Sequence, residues 1–232
     1  MKFELCIASY EEALMAQKYK AYRIEVCAAL EIGGITPSYG FIKSCCEIEG
    51  PEKHIMIRPR GGHFEYTPDE VHLMLENIEV CKALNATGVV FGALTENLII
   101  DKETTGQLTE KAKSLGLQTT FHRAFDFVKK PIQNLEILID FGIDNLLTSG
   151  LEPTAIQGKK TILSLLEHAN KQIHIIAGSG VHANNVVSLL NTGVHAVHFT
   201  ARKPIFNSVG LKMGDVFEPD EDKIQKIISK TY

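Results

Sequence analysis

Short apolar runs recur along this chain, and longer stretches with helical spacing lie between them. The runs are FELCIA, YRIEVC, HIMIR, GVVFG, QTTFH, NLLTS, IHIIAG and HAVHFT. Runs of this length, rich in Val, Ile, Leu, Thr and Phe, read as strands. Between them stand YEEALMAQKY, DEVHLMLENIEVCKAL, PIQNLEILIDF and AIQGKKTILSLLEHANK, whose apolar residues return every three or four positions. Regular strand-helix alternation requires crossover connections, and crossovers make a parallel sheet. Eight such units in 232 residues predict a TIM (β/α)8 barrel as a single domain over residues 1–232, with an open doubly wound sheet as the alternative.

Local signals agree with this division. Gly116 and Gly142 each follow a helical run and immediately precede a strand, as helix-ending glycines do. The sequence contains no Pro/Gly/Ser-rich linker and no charge-block tail. The least patterned stretch, Ala201 to Pro219, lies between the last strand and a helix expected over Asp220 to Lys230, and reads as a loop.

Charge and cysteine usage narrow the function classes. A net charge of -4 and a pI near 6.1 give none of the clustered basic surface expected of a nucleic-acid binder. No run approaches the roughly 18 consecutive apolar residues of a membrane span, and MKFELCIASYEEA reaches acidic residues too early for a signal peptide. Five cysteines, an odd number with no CxxC pair, argue against a disulfide framework and for a reducing, cytoplasmic setting.

In a parallel barrel the site lies at the C-terminal ends of the strands, and these ends are unusually polar. The first strand offers Glu4 and Cys6, the second Arg23, Glu25 and Cys27, the third Arg58 and Arg60. The fifth offers His122 and Arg123 with Asp126 nearby, the sixth Thr148 and Ser149, the seventh Gly178, Ser179 and Gly180, the eighth His198 and Thr200. Residues two apart share a face, so Glu25 and Cys27 point the same way, as do Arg58 and Arg60. A mid-strand carboxylate on the helix-packed outside is hard to satisfy, whereas inside it can meet Arg58, His122 or His198. The convergence reads as a polar ligand pocket or as an internal structural ion-pair network.

Particular motifs suggest particular chemistry. AGSGV (residues 177–181) follows the seventh strand and should open a helix at about His182, so its N–H groups, with Thr200 opposite, could hold a phosphate. The bland alternative is an ordinary tight turn. In FHRAFD (residues 121–126), His122 could act as general acid or base or as a metal ligand, and Asp126 could fix its tautomer or pair with an arginine. Cys6 and Cys27, inward on adjacent strands about 4.8 Å apart, could share Cu(I) or Zn(II). No HExxH, P-loop or GxSxG signature is present.

Taken in order, RIEVCAALEIGGITPSYG, IRPRGGHFEYT, FHRAFD, LLTSG and AGSGV resemble the CutC family, the so-called copper homeostasis proteins. The similarity runs from Glu4 to about Thr200. It implies a TIM barrel, a cytoplasmic location, a role in copper tolerance or trafficking with copper as the bound ion, and self-association into homo-oligomers. The family's candidate copper ligands correspond here to Cys6 and Cys27.

Two functions from different classes are therefore expected. One is a Cu(I)-binding homeostasis protein that uses Cys6 and Cys27. The other is an enzyme acting on a small anionic metabolite, phosphorylated or not. In it Arg58, Arg60, Arg123, Asp126 and His198 would hold the ligand, Ser179, Gly180 and Thr200 would cradle an anion, and Glu25 and His122 would exchange protons.

Overall fold

A computed structural model describes residues 2–205 and 215–230. Eight strands form where the apolar runs predict them: β1 (Phe3–Ile7), β2 (Arg23–Val26), β3 (Glu52–Met56), β4 (Gly88–Phe91), β5 (Gln118–Phe121), β6 (Asn145–Thr148), β7 (His174–Gly178) and β8 (Ala196–Phe199). They pair in sequence order, all parallel, and close when β8 joins β1 through the pairs Phe3↔Val197, Glu4↔His198 and Leu5↔Phe199. The crossovers carry α1 (Tyr10–Lys18), α2 (Tyr39–Cys46), α3 (Pro68–Ala83), α4 (Lys102–Ser114), α5 (Pro131–Asp140), α6 (Lys159–Ala169) and α7 (Val186–Leu190). This is a TIM barrel.

The helices begin where side chains can take up their first N–H groups. Ser9 caps α1, Ser38 caps α2 and Asp101 caps α4. Thr67 and Glu70 form a reciprocal capping box on α3, with Pro68 in the first turn. Gly116 and Gly142 adopt φ of +71° and +67° just before β5 and β6, as expected of helix terminators.

Alternation along the strands separates two kinds of interior. Leu5, Ile7, Ile24, Val26, Ile55, Val89, Phe91, Phe121, Leu146, Ile175 and Val197 belong to one continuous apolar cluster with the helices. The barrel lumen is different. It holds two small apolar clusters, one of Cys6, Cys27, Met56 and Val90 and one of Leu147, Ile176 and Ala196. Polar residues fill the rest of the lumen, Glu4, Arg23, Glu25, His54, Thr120 and His198 all being buried. Buried charge of this density persists only when it is paired.

Arg23 shows how the lower end is sealed. The sequence groups it with the polar strand ends, yet it is the first residue of β2 and lies at the N-terminal end. It donates to Glu4 (3.0 Å) and twice to Glu52 (3.1 and 3.0 Å). The guanidinium is a structural plug remote from the mouth.

Two expectations change beyond β7. The helix after AGSGV starts at Val186, not at His182. Asn185 explains the delay: its side chain accepts from His182 N and donates to Gly180 O, tying those residues into a turn. The stretch read as a loop from Ala201 to Pro219 contains β9 (Arg202–Ile205) and β10 (Val216–Pro219), paired antiparallel, with Arg202 stacked 3.5 Å over the Phe217 ring. Residues 206–214 of that stretch lie outside the described residues. α8 (Glu221–Ile228) follows, capped by Asp220. No described helix is long and apolar enough to cross a membrane.

Candidate functional site

A cavity of about 440 Å³ opens at the C-terminal end of the strands. Its deep wall carries Cys6, Glu25 and His198, which the inward alternation of β1, β2 and β8 brings together. His198 sits between two carboxylates, with Nδ1 2.6 Å from Glu4 Oε1 and Nε2 3.8 Å from Glu25 Oε2. Burial opposes a charge on this ring, but Glu25, Cys6 and Glu4 outweigh it and hold the imidazole well above its ordinary pKa. His198 is therefore an imidazolium at neutral pH. Burial also acts on Glu4, yet His198 and Arg23 draw its carboxyl down to about 2.

Glu25 is the other half of this arrangement. Burial raises its carboxyl pKa, and the His198 charge only partly offsets the effect. Oε2 accepts from the Cys27 thiol at 3.5 Å, while Oε1 is buried with no hydrogen-bond partner among the described residues. A buried oxygen left unpaired costs roughly 1–3 kcal/mol.

The two inward cysteines meet beside it, with their sulfurs 3.9 Å apart. Their mutual hydrogen bond and burial push the Cys6 thiol far up. For Cys27 the Cys6 contact pulls down, but burial and Glu25 prevail and carry it to about 11. Cys6, Glu25 and Cys27 offer donor atoms within 4.8 Å of one another, and so do Glu4, Glu25 and His198. The second set would have to displace the His198 proton. The first offers two sulfurs, with the Met56 thioether in the same cluster, and suits a soft ion better.

Arg58 lines the same cavity from just beyond β3, the neighbour of β2. Its Nη1 donates to Ile32 O (3.1 Å) and Gly34 O (3.0 Å), its Nη2 to Gly62 O (2.8 Å), and the guanidinium lies 4.9 Å over the Phe64 ring. Gly33 and Gly34 make this approach possible: they adopt φ of +90° and +81°, and a Cβ on Gly33 would sit 3.0 Å from Nη1. Arg58 Nε is buried and makes no well-formed hydrogen bond among the described residues, although the Tyr66 hydroxyl lies close to this guanidinium.

Arg60 goes elsewhere. It donates to Glu70 (2.5 and 3.2 Å), His63 O (3.1 Å) and Glu65 O (2.8 Å), and it does not line the cavity. The pairing expected from shared alternation fails because β3 ends at Met56, and beyond a strand the chain no longer keeps period two.

His122 lines the cavity with Nδ1 accepting from Ala124 N at 3.2 Å. An Nδ1 that accepts leaves the proton on Nε2, and that nitrogen is buried without a partner among the described residues. Burial, then the Arg58 charge, lowers this imidazole to about 3. His122 is thus a neutral N–H donor at physiological pH, and the backbone sets its tautomer. Asp126 does not set the His122 tautomer; of its two expected roles it takes the other and pairs with an arginine. It accepts from Arg123 Nε (2.8 Å), Thr148 Oγ1 (2.5 Å) and Ser149 N and Oγ (3.0 and 2.9 Å), locking the ends of β5 and β6 together. Arg123, oriented by Asp126, does reach the cavity.

Ser179, Gly180 and Thr200 line a smaller adjoining cavity of about 220 Å³, which Arg123 and His198 share with the larger one. The Ser179 hydroxyl donates to Pro153 O at 2.8 Å. Two contributors had no signal in strand patterning. Phe64 arrives from the loop after β3, and Lys223 arrives from α8, twenty-four residues past the end of β8 (223 against 199).

Fold and mouth together define a (β/α)8 barrel whose C-terminal cavity is lined by buried carboxylate, imidazole, guanidinium and thiol groups. A model of the CutC family matches residues 1–203, and the chain belongs to that family. It is 39% identical over 228 residues to the CutC family protein of Pasteurella multocida, covering 98% of this chain and 93% of that one. It is 45% identical over 203 residues to the CutC family protein of Glaesserella parasuis, covering 87% and 83%. The crystal structure of the putative copper homeostasis protein CutC from Streptococcus agalactiae superposes with a TM-score of 0.80 at 35% identity, over 85% of this chain and 98% of that one.

Proposed function

We propose that this protein is an acid-base enzyme that binds a small anionic metabolite in the 440 Å³ cavity at the barrel mouth. One observation carries the reading. Glu25 Oε1, Arg58 Nε and His122 Nε2 are each buried with no well-formed hydrogen bond among the described residues, and all three residues line this one cavity. Native interiors satisfy nearly all such groups, so an acceptor and two donors left open around one cavity support a polar ligand there. Arg58 and Arg123 supply positive charge, the His122 Nε2–H orients an acceptor oxygen, and Glu25 exchanges the proton. No lysine lines this cavity among the described residues, which argues against a Schiff-base route.

The test is a crystal of the untreated protein together with its Glu25→Gln variant, and metabolite profiling of both by mass spectrometry. A small anion retained against Arg58 and His122, more abundantly in the variant that cannot exchange the proton, is the expected result. Fixed waters that satisfy Glu25, Arg58 and His122 in both proteins would reject it.

A second reading has its own support. The sulfurs of Cys6 and Cys27 stand 3.9 Å apart, close to the separation at which two thiolates share one Cu(I), and a relative's name refers to copper homeostasis. In that reading the protein is a cytoplasmic Cu(I) binder, and loading releases two protons because both thiols are protonated when free. Stoichiometric Cu(I) binding that persists in Cys6→Ser/Cys27→Ser would remove this site from consideration.

A further inference from the structure

The smaller cavity differs from the larger one in charge. Arg123, His198 and Lys223 line it, and no acidic side chain does so among the described residues, whereas the larger cavity contains the Glu25 carboxylate. The Lys223 ammonium makes no hydrogen bond or ion pair among the described residues. Burial lowers its pKa, and the charge of Asp220, which caps α8 by accepting Lys223 N at 3.0 Å, opposes that only in part. The N–H groups of Gly180 and Val181 have no acceptor among the described residues. Thr200 adds a hydroxyl from the end of β8. Among the described residues Lys223 is the one cation of this cavity without an ion pair, since Asp126 holds Arg123 and Glu4 holds His198. With the remaining Arg123 donors, two free amides and a hydroxyl around one compact space, it forms a receptor for a compact anion.

The geometry points to a phosphate monoester as the ligand: its phosphoryl group in the smaller cavity among Lys223, Gly180, Val181 and Thr200, its organic part against Glu25, Arg58 and His122. This inference rests on the reading of the larger cavity as a ligand site, and it adds the substrate class and Lys223. A carboxylate has two oxygens and would leave several of these donors unpaired, whereas a phosphoryl group presents three. Arg123, His198 and Thr200 line both spaces, so the two adjoin, and the proposed ester would span them past these residues. The family match ends at residue 203, so Lys223 lies beyond it on a helix placed after the last strand, where barrels commonly complete a phosphate site.

Calorimetric titration of the full chain with inorganic phosphate and with glycerol 3-phosphate, paired with a tungstate soak of its crystals, tests the assignment. Tungstate density should lie between Lys223, Gly180 and Thr200, and glycerol 3-phosphate should bind more tightly than inorganic phosphate. Lys223→Met should weaken both by roughly tenfold or more, and Lys223→Arg should restore most of the affinity, which a packing role would not do. Equal affinities for the two probes would overturn the ester. Affinity unmoved by Lys223→Met, with tungstate against Arg58 alone, would overturn the phosphate subsite and leave the larger cavity standing as an anion site. Tungstate in neither cavity and no heat of binding would also overturn the subsite. The larger cavity then stands or falls on the bound metabolite sought with Glu25→Gln.

Discussion

Glu4 and His198 face each other across the seam that closes the barrel, a register pair of β1 and β8 with Oε1 and Nδ1 2.6 Å apart. The same carboxylate holds Arg23 at 3.0 Å through its other oxygen. One buried group therefore joins the plug at the bottom of the lumen to the imidazolium at the mouth.

Removing that charge should be costly. Glu4→Gln leaves a buried imidazolium and weakens the anchoring of a fully buried guanidinium, and breaking one partner of such a pair costs about 3–5 kcal/mol. The sign follows from the two shifts. Glu4 is lowered to about 2, so its contribution is present above the unfolded carboxyl range near 4.5 and fades as pH falls through 2. His198 is raised, so its contribution is full below 6.5 and fades as pH rises through its elevated folded value. Urea unfolding across pH should show the largest difference between wild type and variant near pH 5–6, shrinking toward acid. A constant difference down to pH 2 would contradict the assignment.

Two buried histidines should make the protein sensitive to acid. Burial, then nearby arginine charge, lowers both His54 and His122 to about 3. Unfolded, each takes a proton near 6.5, so stability is present above 6.5 and is lost as pH falls toward 3. Each contributes at most about 1.4 kcal/mol per pH unit over that interval. His54→Gln, which keeps a polar partner for Thr120 at the position where Nδ1 now lies 3.1 Å from Oγ1, should flatten the stability profile by close to one proton. An unchanged slope between pH 6 and 4 would show that His54 is protonated in the fold.

Much of this arrangement is legible in the chain, and the limits have physical causes. The eight strands are readable because each is a short apolar run bounded by polar residues or glycine. The inward sets of Glu4 with Cys6 and Glu25 with Cys27 follow from period two, which holds as long as ladder bonds do. Arg60 escapes that rule because it lies beyond the ladder, and its direction is decided by Glu70 in the capping box of α3. The tautomer of His122 depends on one backbone N–H two residues away, a turn geometry that composition does not encode. Lys223 is invisible to strand-end reasoning because a separate helix delivers it.

Glycine at position 92 is a spacing device for His122. A Cβ there would sit 2.5 Å from His122 Nδ1 and 3.1 Å from the Ala124 methyl. Gly92→Ala should therefore cost about 1–3 kcal/mol through overpacking and displace the ring from the Ala124 amide. If the cost comes from this contact, the pair Gly92→Ala/His122→Ala should be less destabilised than the sum of its parts. Chemical denaturation of the four proteins of the cycle measures this, and strict additivity would place the strain elsewhere.

Arg58 and Arg60, separated only by Pro59, should respond oppositely to substitution. Arg60 is about a third exposed, and its Glu70 pair is of the surface kind that contributes roughly 0–1 kcal/mol, so Arg60→Ala should leave ligand affinity intact and lower stability only slightly. Arg58 holds three backbone carbonyls of the loops over the mouth and leaves Nε for a ligand. Each charge-assisted bond is worth about 1.5–3 kcal/mol, so Arg58→Met should destabilise the fold by several kcal/mol. Arg58→Lys discriminates further. A lysine can keep one carbonyl but cannot reproduce the planar fork, so it should recover part of the stability and little of the anion affinity. Urea midpoints and anion titrations of Arg58→Lys and Arg60→Ala give the comparison. Loss of anion binding in Arg60→Ala with retention in Arg58→Lys would mean that the wrong arginine has been placed at the cavity.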